Sequence, residues 1–140
     1  MHQDKLVAKL RSHGLRPTPQ RIAICELLFK GADRHLTAES LHEEAKDKNI
    51  SVSLATIYNT LHQFTNAGLL RQIIVDPTRA YFDTNTTPHH HFFHEDTNLL
   101  EDIPHERVSL QIDGCDPFSV TTPASKRVAD VDVIIRLSSS

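Results

Sequence analysis

The sequence predicts an α+β chain in two parts: short capped helices closed by a β-hairpin, then a small strand-rich α/β segment. Three observations predict it. Apolar residues recur at helical spacing as far as Ala67-Gly68, and the period changes to two in the second half. The candidate helices are bracketed by capping residues and glycines. Between the two patterns lies Asn85-Thr86-Thr87-Pro88, polar and ending in proline, which reads as a hinge over 85–88 joining parts at 1–84 and 89–140.

Taken in order, Leu6, Val7 and Leu10 form a short apolar face, and Gly14 supplies a helix stop. Thr18-Pro19 is an N-cap followed by proline in the first turn, and Ile22, Cys25, Leu28 and Phe29 follow at helical spacing. A third helix starts at Thr37, with Leu36 and Leu41 placed as a hydrophobic staple. The fourth starts at Ser53 with a second staple pair, Val52 and Ile57. Its stripe of Leu54, Ile57, Leu61 and Phe64 faces inward, while Ala55, Thr56, Tyr58, Asn59, His62 and Gln63 face outward. A merely solvated face usually carries Glu and Lys. Short polar residues and a tyrosine instead suit contact with base edges and thymine methyls in a DNA major groove.

Two extended segments follow at 70–75 and 80–84, joined by Asp76-Pro77-Thr78-Arg79, a favourable turn sequence. Helices followed by such a hairpin describe a winged helix-turn-helix. Arg79 at the hairpin tip, and Arg16 and Arg21 near the second helix, are placed to meet phosphates. Beyond the hinge, Val108, Leu110 and Ile112 alternate with polar residues, as do Val131, Val133, Ile135 and Leu137. So small a strand-rich part buries little by itself, and pairing with a second copy would supply the missing core. A homodimer is therefore expected, presenting two reader helices to a two-fold site.

Composition fits this division. Hydrophobic content of 39% and charged content of 24% are globular values, so neither part reads as disordered. The net charge of −3 argues against indiscriminate coating of nucleic acid. It hides an asymmetry: residues 1–75 carry 10 Lys and Arg against 7 Asp and Glu, and residues 76–140 carry 5 against 11. A basic part followed by an acidic one suits a DNA-binding module with a second domain. No apolar stretch reaches the roughly 18 residues needed to cross a bilayer, and the start is no signal peptide, so a cytoplasmic location without a membrane partner is expected. Two cysteines, Cys25 and Cys115, exclude a disulfide framework and a four-cysteine structural zinc.

Four of the ten histidines, His89, His90, His91 and His94, fall within six residues. On a strand, His89 and His91 share a face with Cα atoms about 6.6 Å apart, which suits two nitrogens converging on one ion. His90 and His94 share the other face but lie about 13 Å apart, too far to meet on an unbent strand. Imidazole ligates transition metals and haem. The candidate acidic partners are Asp83, Glu95, Asp96, Glu101 and Asp102.

Four elements together resemble the ferric uptake regulator (Fur) family: Gly14-Leu15-Arg16-Pro17-Thr18-Pro19-Gln20-Arg21, His35-Leu36-Thr37-Ala38-Glu39, Val52-Ser53-Leu54-Ala55-Thr56-Ile57-Tyr58-Asn59-Thr60-Leu61, and the histidine triplet. Their order and spacing match over residues 10 to 103. The resemblance implies a dimeric winged-helix repressor of operator DNA, not an enzyme, whose C-terminal α/β domain dimerises and binds metal. It further implies a metal site of His35, Asp83, His89, His91 and Asp102, suited to Fe, Mn or Zn, with Thr56, Tyr58 and Asn59 contacting bases.

The chain departs from the family where most members carry Cys-x-x-Cys after the histidines; here Phe93-His94-Glu95-Asp96-Thr97 stands. This departure, with the closing Val131-Asp132-Val133-Ile134-Ile135-Arg136, is most similar to the iron response regulator (Irr) branch. That likeness implies control of iron and haem homeostasis through haem or a bound divalent metal. No Cys-Pro haem motif is present, so haem would rest on His90. The dimer domain is also short of the helix that relatives have. A peroxide-sensing, metal-dependent repressor is the nearest rival. A non-haem iron enzyme is more remote, because about 50 residues of strand cannot enclose a substrate.

Overall fold

A computed structural model describes residues 2–139 of the chain. They form two compact units that divide between Thr86 and Thr87.

The first unit opens with α1 (His2–Ser12) and α2 (Pro19–Leu28). Gly14 sits at φ +75°, where a side chain would be strained, and lets the chain turn out of α1. Thr18 caps α2, its Oγ1 accepting from the backbone N–H of Arg21 at 3.1 Å. A two-residue strand β1 (His35–Leu36) leads into α3 (Ala38–Asp47), where Thr37 and Ser40 cap each other reciprocally. Leu36 and Leu41, the expected staple pair, are both buried.

Ser53 caps α4 (Leu54–Asn66), accepting from the backbone N–H of Thr56 at 3.1 Å. Ile57, Leu61 and Phe64 of its stripe have no exposed surface and join one core with Leu10, Ile24, Leu28 and Leu41. Burying three such side chains contributes on the order of 5–9 kcal/mol, an upper bound on an extended-chain reference. The helix ends at Gly68, at φ +86°, which its position after the last turn requires.

The hairpin follows as β2 (Arg71–Asp76) and β3 (Arg79–Asp83), one residue displaced from the expected bounds. Asp76 closes the turn: one oxygen accepts from the backbone N–H of Thr78 at 2.9 Å, and the other from Arg79 Nε at 2.8 Å. The sheet is antiparallel with order β1-β3-β2. β1 has no sequence signature of its own, being too short to show a period.

The second unit is a sheet of order β5-β4-β6, with β4 (His90–His94) in the centre, β5 (Leu99–Ile103) antiparallel and β6 (Ile134–Leu137) parallel to it. Its fully buried apolar side chains are few, chiefly Phe93, Leu100 and Ile103. Two 3-10 turns, His105–Arg107 and Pro117–Ser119, occupy the excursion between β5 and β6. Here the sequence expectation fails in part. Val108, Leu110 and Ile112 alternate but form no strand; Ile112 makes only an isolated bridge to Cys115. Prolines and a glycine interrupt the excursion, and the run joins neither outer edge of the sheet. The second alternating run does pair, but only over its last four residues.

Candidate functional site

Two groups of ligand-type side chains stand out, one in each unit. In the first unit, β1 pairs with β3 so that His35 lies opposite Asp83. The pairing extends one step further, because Arg34 N–H donates to Thr84 Oγ1 at 2.9 Å and Thr84 N–H donates to Arg34 O at 3.1 Å. Arg34 is itself held to α3 by Glu44, whose Oε1 accepts from it at 3.0 Å. That contact holds the Glu44 carboxyl below its ordinary pKa and raises that of Arg34. The result fixes His35 Nε2 at 3.1 Å from Asp83 Oδ2, with Asp83 only 1% exposed. The other oxygen, Asp83 Oδ1, accepts from the backbone N–H of Asn85 at 2.9 Å.

In the second unit, His91 lies opposite Asp102 in the β4–β5 pairing, and His89 shares the face of His91. Their rings are 4.5 Å apart between centroids. Asp102 Oδ1 lies 3.1 Å from His89 Nε2 and 3.3 Å from His91 Nε2. His89 Nδ1 is 2.7 Å from Thr87 O. A carbonyl oxygen only accepts, so Nδ1 donates to it, and Nε2 is the ring atom turned to the carboxylate.

These distances fit a coordination shell. Metal–ligand bonds of about 2.1 Å put neighbouring donors about 3.0 Å apart in an octahedron and about 3.4 Å apart in a tetrahedron. The three separations of 3.1, 3.1 and 3.3 Å fall in that interval. Imidazoles and carboxylates without a thiolate, the donors of each set, suit Mn²⁺, Fe²⁺ or Zn²⁺. Thr87 O behind His89 and Asn85 N–H behind Asp83 are the outer contacts that fix tautomer and carboxylate orientation at metal sites.

The other candidate acids sort themselves. Glu101 pairs with His94 at 2.8 Å, Asp96 accepts from Ser139 Oγ at 3.0 Å, and Glu95 is exposed in the β4–β5 turn. His90 faces away from Asp102: its Nδ1 accepts from the backbone N–H of Val133 at 3.1 Å. Ligation of haem iron through Nε2 needs the opposite tautomer, which would set an N–H against the Val133 N–H.

On α4, Tyr58 and Asn59 are exposed and Thr56 is half-buried. Tyr58 is 38% exposed, and its hydroxyl donates to Glu39 Oε2 at 2.5 Å, a bond that pushes the phenol pKa up. Thr56 Oγ1 accepts from Ser53 Oγ at 2.9 Å, so this side chain belongs partly to the cap. Arg21 donates to Gln63 Oε1 and to Arg16 O, both at 3.0 Å, and thus steadies the outward face of α4. Arg16 is exposed, and Arg79 is tied to Asp76. Glu39 as the partner of Tyr58 had no local signal, because the two stand 19 residues apart.

Residues 12–114 match the Ferric uptake regulator family. The chain belongs to that family. It is accordingly a Fur-family metal-responsive transcription regulator, and members of the family are regulators rather than enzymes. The Peroxide-responsive repressor PerR of Staphylococcus epidermidis is 33% identical over 71% of this chain and 66% of its own length. The protein of the same description from Staphylococcus aureus is 30% identical over 76% of this chain and 71% of its own. Among solved structures, the Ferric uptake regulator from Pseudomonas aeruginosa with manganese covers 95% of this chain and 96% of its own, at 23% identity and a TM-score of 0.71. That likeness establishes the Fur fold, with an N-terminal helix-turn-helix part and a C-terminal α/β part. No helix among the described residues is long and apolar enough to cross a membrane.

Proposed function

We propose that this Fur-family protein is a dimeric repressor that binds operator DNA when His35, Asp83, His89, His91 and Asp102 together hold one divalent ion. The observation that carries this reading is the pair of pre-arranged donor sets, His35–Asp83 and His89–His91–Asp102, each spaced as a coordination shell requires. A bound Mn²⁺, Fe²⁺ or Zn²⁺ would supply positive charge that satisfies both carboxylates and both donor sets at once. The residues do the rest. His35 and Asp83 belong to the unit that carries α4, and the other three belong to the second unit. Shared ligation would therefore link the two units and couple ion binding to DNA binding, a coupling that is reciprocal. Thr56, Tyr58 and Asn59 would meet bases, with Arg16, Arg21 and Arg79 near phosphates. Dimerisation would fall to the second unit, whose few buried apolar side chains, with Leu99 and Ile135 exposed, leave its core incomplete. Light scattering at micromolar concentration should give the mass of two chains; one chain would remove the dimer from the scheme.

The deciding experiment titrates metal-free protein with Mn²⁺, Fe²⁺, Zn²⁺ and haem in separate arms while operator binding is followed by anisotropy. Mn²⁺ or Fe²⁺ should tighten operator binding at least about tenfold, and His35→Ala should weaken both metal and operator affinity. Undiminished operator binding by metal-loaded His35→Ala would sink the shared site.

Peroxide as the signal is the second reading, favoured by the likeness to the two staphylococcal peroxide-responsive repressors. It predicts that peroxide treatment of the iron-loaded protein adds the mass of one oxygen atom to a ligand histidine and releases DNA. The Irr-like reading, with haem at His90 as its effector, rests on the sequence features; the Val133 bond to Nδ1 weighs against that ligand.

A further inference from the structure

Resting on the reading of α4 as the DNA-contacting helix, we propose that Glu39 determines base specificity by holding the Tyr58 hydroxyl as a hydrogen-bond acceptor only. Glu39 is the second residue of α3 and is exposed, yet its carboxylate is turned onto α4, where Oε2 takes the Tyr58 hydroxyl at 2.5 Å. The ring is steadied as well: it stacks on His62 at 6.4 Å between centroids and 21° between planes, and His62 packs edge-on against Phe82. The phenol therefore has a defined position and a defined polarity.

A phenol has one O–H and further acceptor capacity. Once its hydrogen is committed to Glu39, the oxygen can only accept. In the major groove the donors are adenine N6 and cytosine N4, whereas guanine O6, guanine N7 and thymine O4 are acceptors. An acceptor-only hydroxyl is matched by an amino group and repelled by the keto oxygen of the partner base. Every base pair has one of each, so what Tyr58 reads is orientation: A·T over T·A, or C·G over G·C. An acid on this face otherwise opposes a polyanion, and Glu39 accordingly exchanges some general affinity for discrimination.

The test uses full-length, metal-loaded protein. Duplexes selected from a random pool by the wild type define the site, and anisotropy on single-pair reversals then compares wild type, Glu39→Ala, Tyr58→Phe and the double variant, with Glu39→Ala first checked for unchanged melting and metal binding. The wild type should show one position where reversal weakens binding about five- to tenfold. Glu39→Ala, which removes the acceptor, and Tyr58→Phe should each lose that preference, the double variant should lose no more, and all other positions should be unchanged. Glu39→Ala should also bind non-operator DNA more tightly, a negative charge having been removed. A preference that survives Glu39→Ala but not Tyr58→Phe overturns the role of Glu39. A preference that survives both shows that the hydroxyl reads nothing. If wild-type protein selects no sequence at all, the DNA-reading role of α4 fails and this inference fails with it.

Discussion

Asp76 shows how much one side chain sets in this molecule. Hydrogen bonds from Arg79 and from the backbone and hydroxyl of Thr78 lower its pKa from 3.8 to about 2. Since the folded value is depressed, the stabilisation is complete above the unfolded value and is lost as pH falls through about 2. A carboxyl-carbon NMR titration should place the Asp76 midpoint near 2, and Arg79→Ala should return it toward the ordinary range; a wild-type midpoint near 3.8 would refute the turn geometry. Cys25 illustrates the opposite influence. Without exposed surface in α2, its thiol is pushed up to about 11 by burial, which makes it core rather than a ligand or sensor. The burial of Cys25 was legible from its place on an apolar helical face. The tautomer of His90 was not, because it depends on Val133, 43 residues away.

Among the elements, α4 was the most legible, since its cap, staple and stripe are all local. Ser53→Ala removes the side-chain acceptor for the Thr56 N–H and should cost about 1 kcal/mol in urea unfolding, with Ser53→Asp retaining most of it. An unchanged midpoint for the alanine variant would show that the cap is not formed in solution. β1 lies at the other extreme. It exists only because the chain from Arg34 to Leu36 finds β3, and its position depends on Glu44 of α3 gripping Arg34. Val108, Leu110 and Ile112 teach the complementary lesson: a period of two does not by itself make a strand, and this short run, bracketed by Pro104 and Pro117 and turned at Gly114, pairs with neither outer edge of the sheet.

For the whole molecule, the proposed ion is a stability term as well as a signal. A ligand that binds only the folded state at 100 times its Kd adds about 2.7 kcal/mol. Mn²⁺ in that excess should therefore raise the melting temperature, a chelator should reverse the rise, and His91→Ala should abolish it. A His91→Ala protein that still gains the full shift would place the ion elsewhere. The basic first part and acidic second part also assign the tasks: the basic part carries the face proposed for DNA, and the acidic part contributes most of the proposed ligands.

By itself, the sequence determined what is encoded over one or two turns: which segments are helices, where their caps fall, which face of α4 is polar, and that His89 and His91 share a side of their strand. Helical and strand periods are set by neighbours in the chain, so they can be read without a fold. The family resemblance named His35, Asp83 and Asp102 beside those histidines, but only the tertiary structure decided how distant groups meet: His35 opposite Asp83, Asp102 against both histidines while Glu101 pairs with His94, and Glu39 on Tyr58. Those pairings follow from strand register and helix packing, which depend on the whole core and leave no mark in any short window of residues.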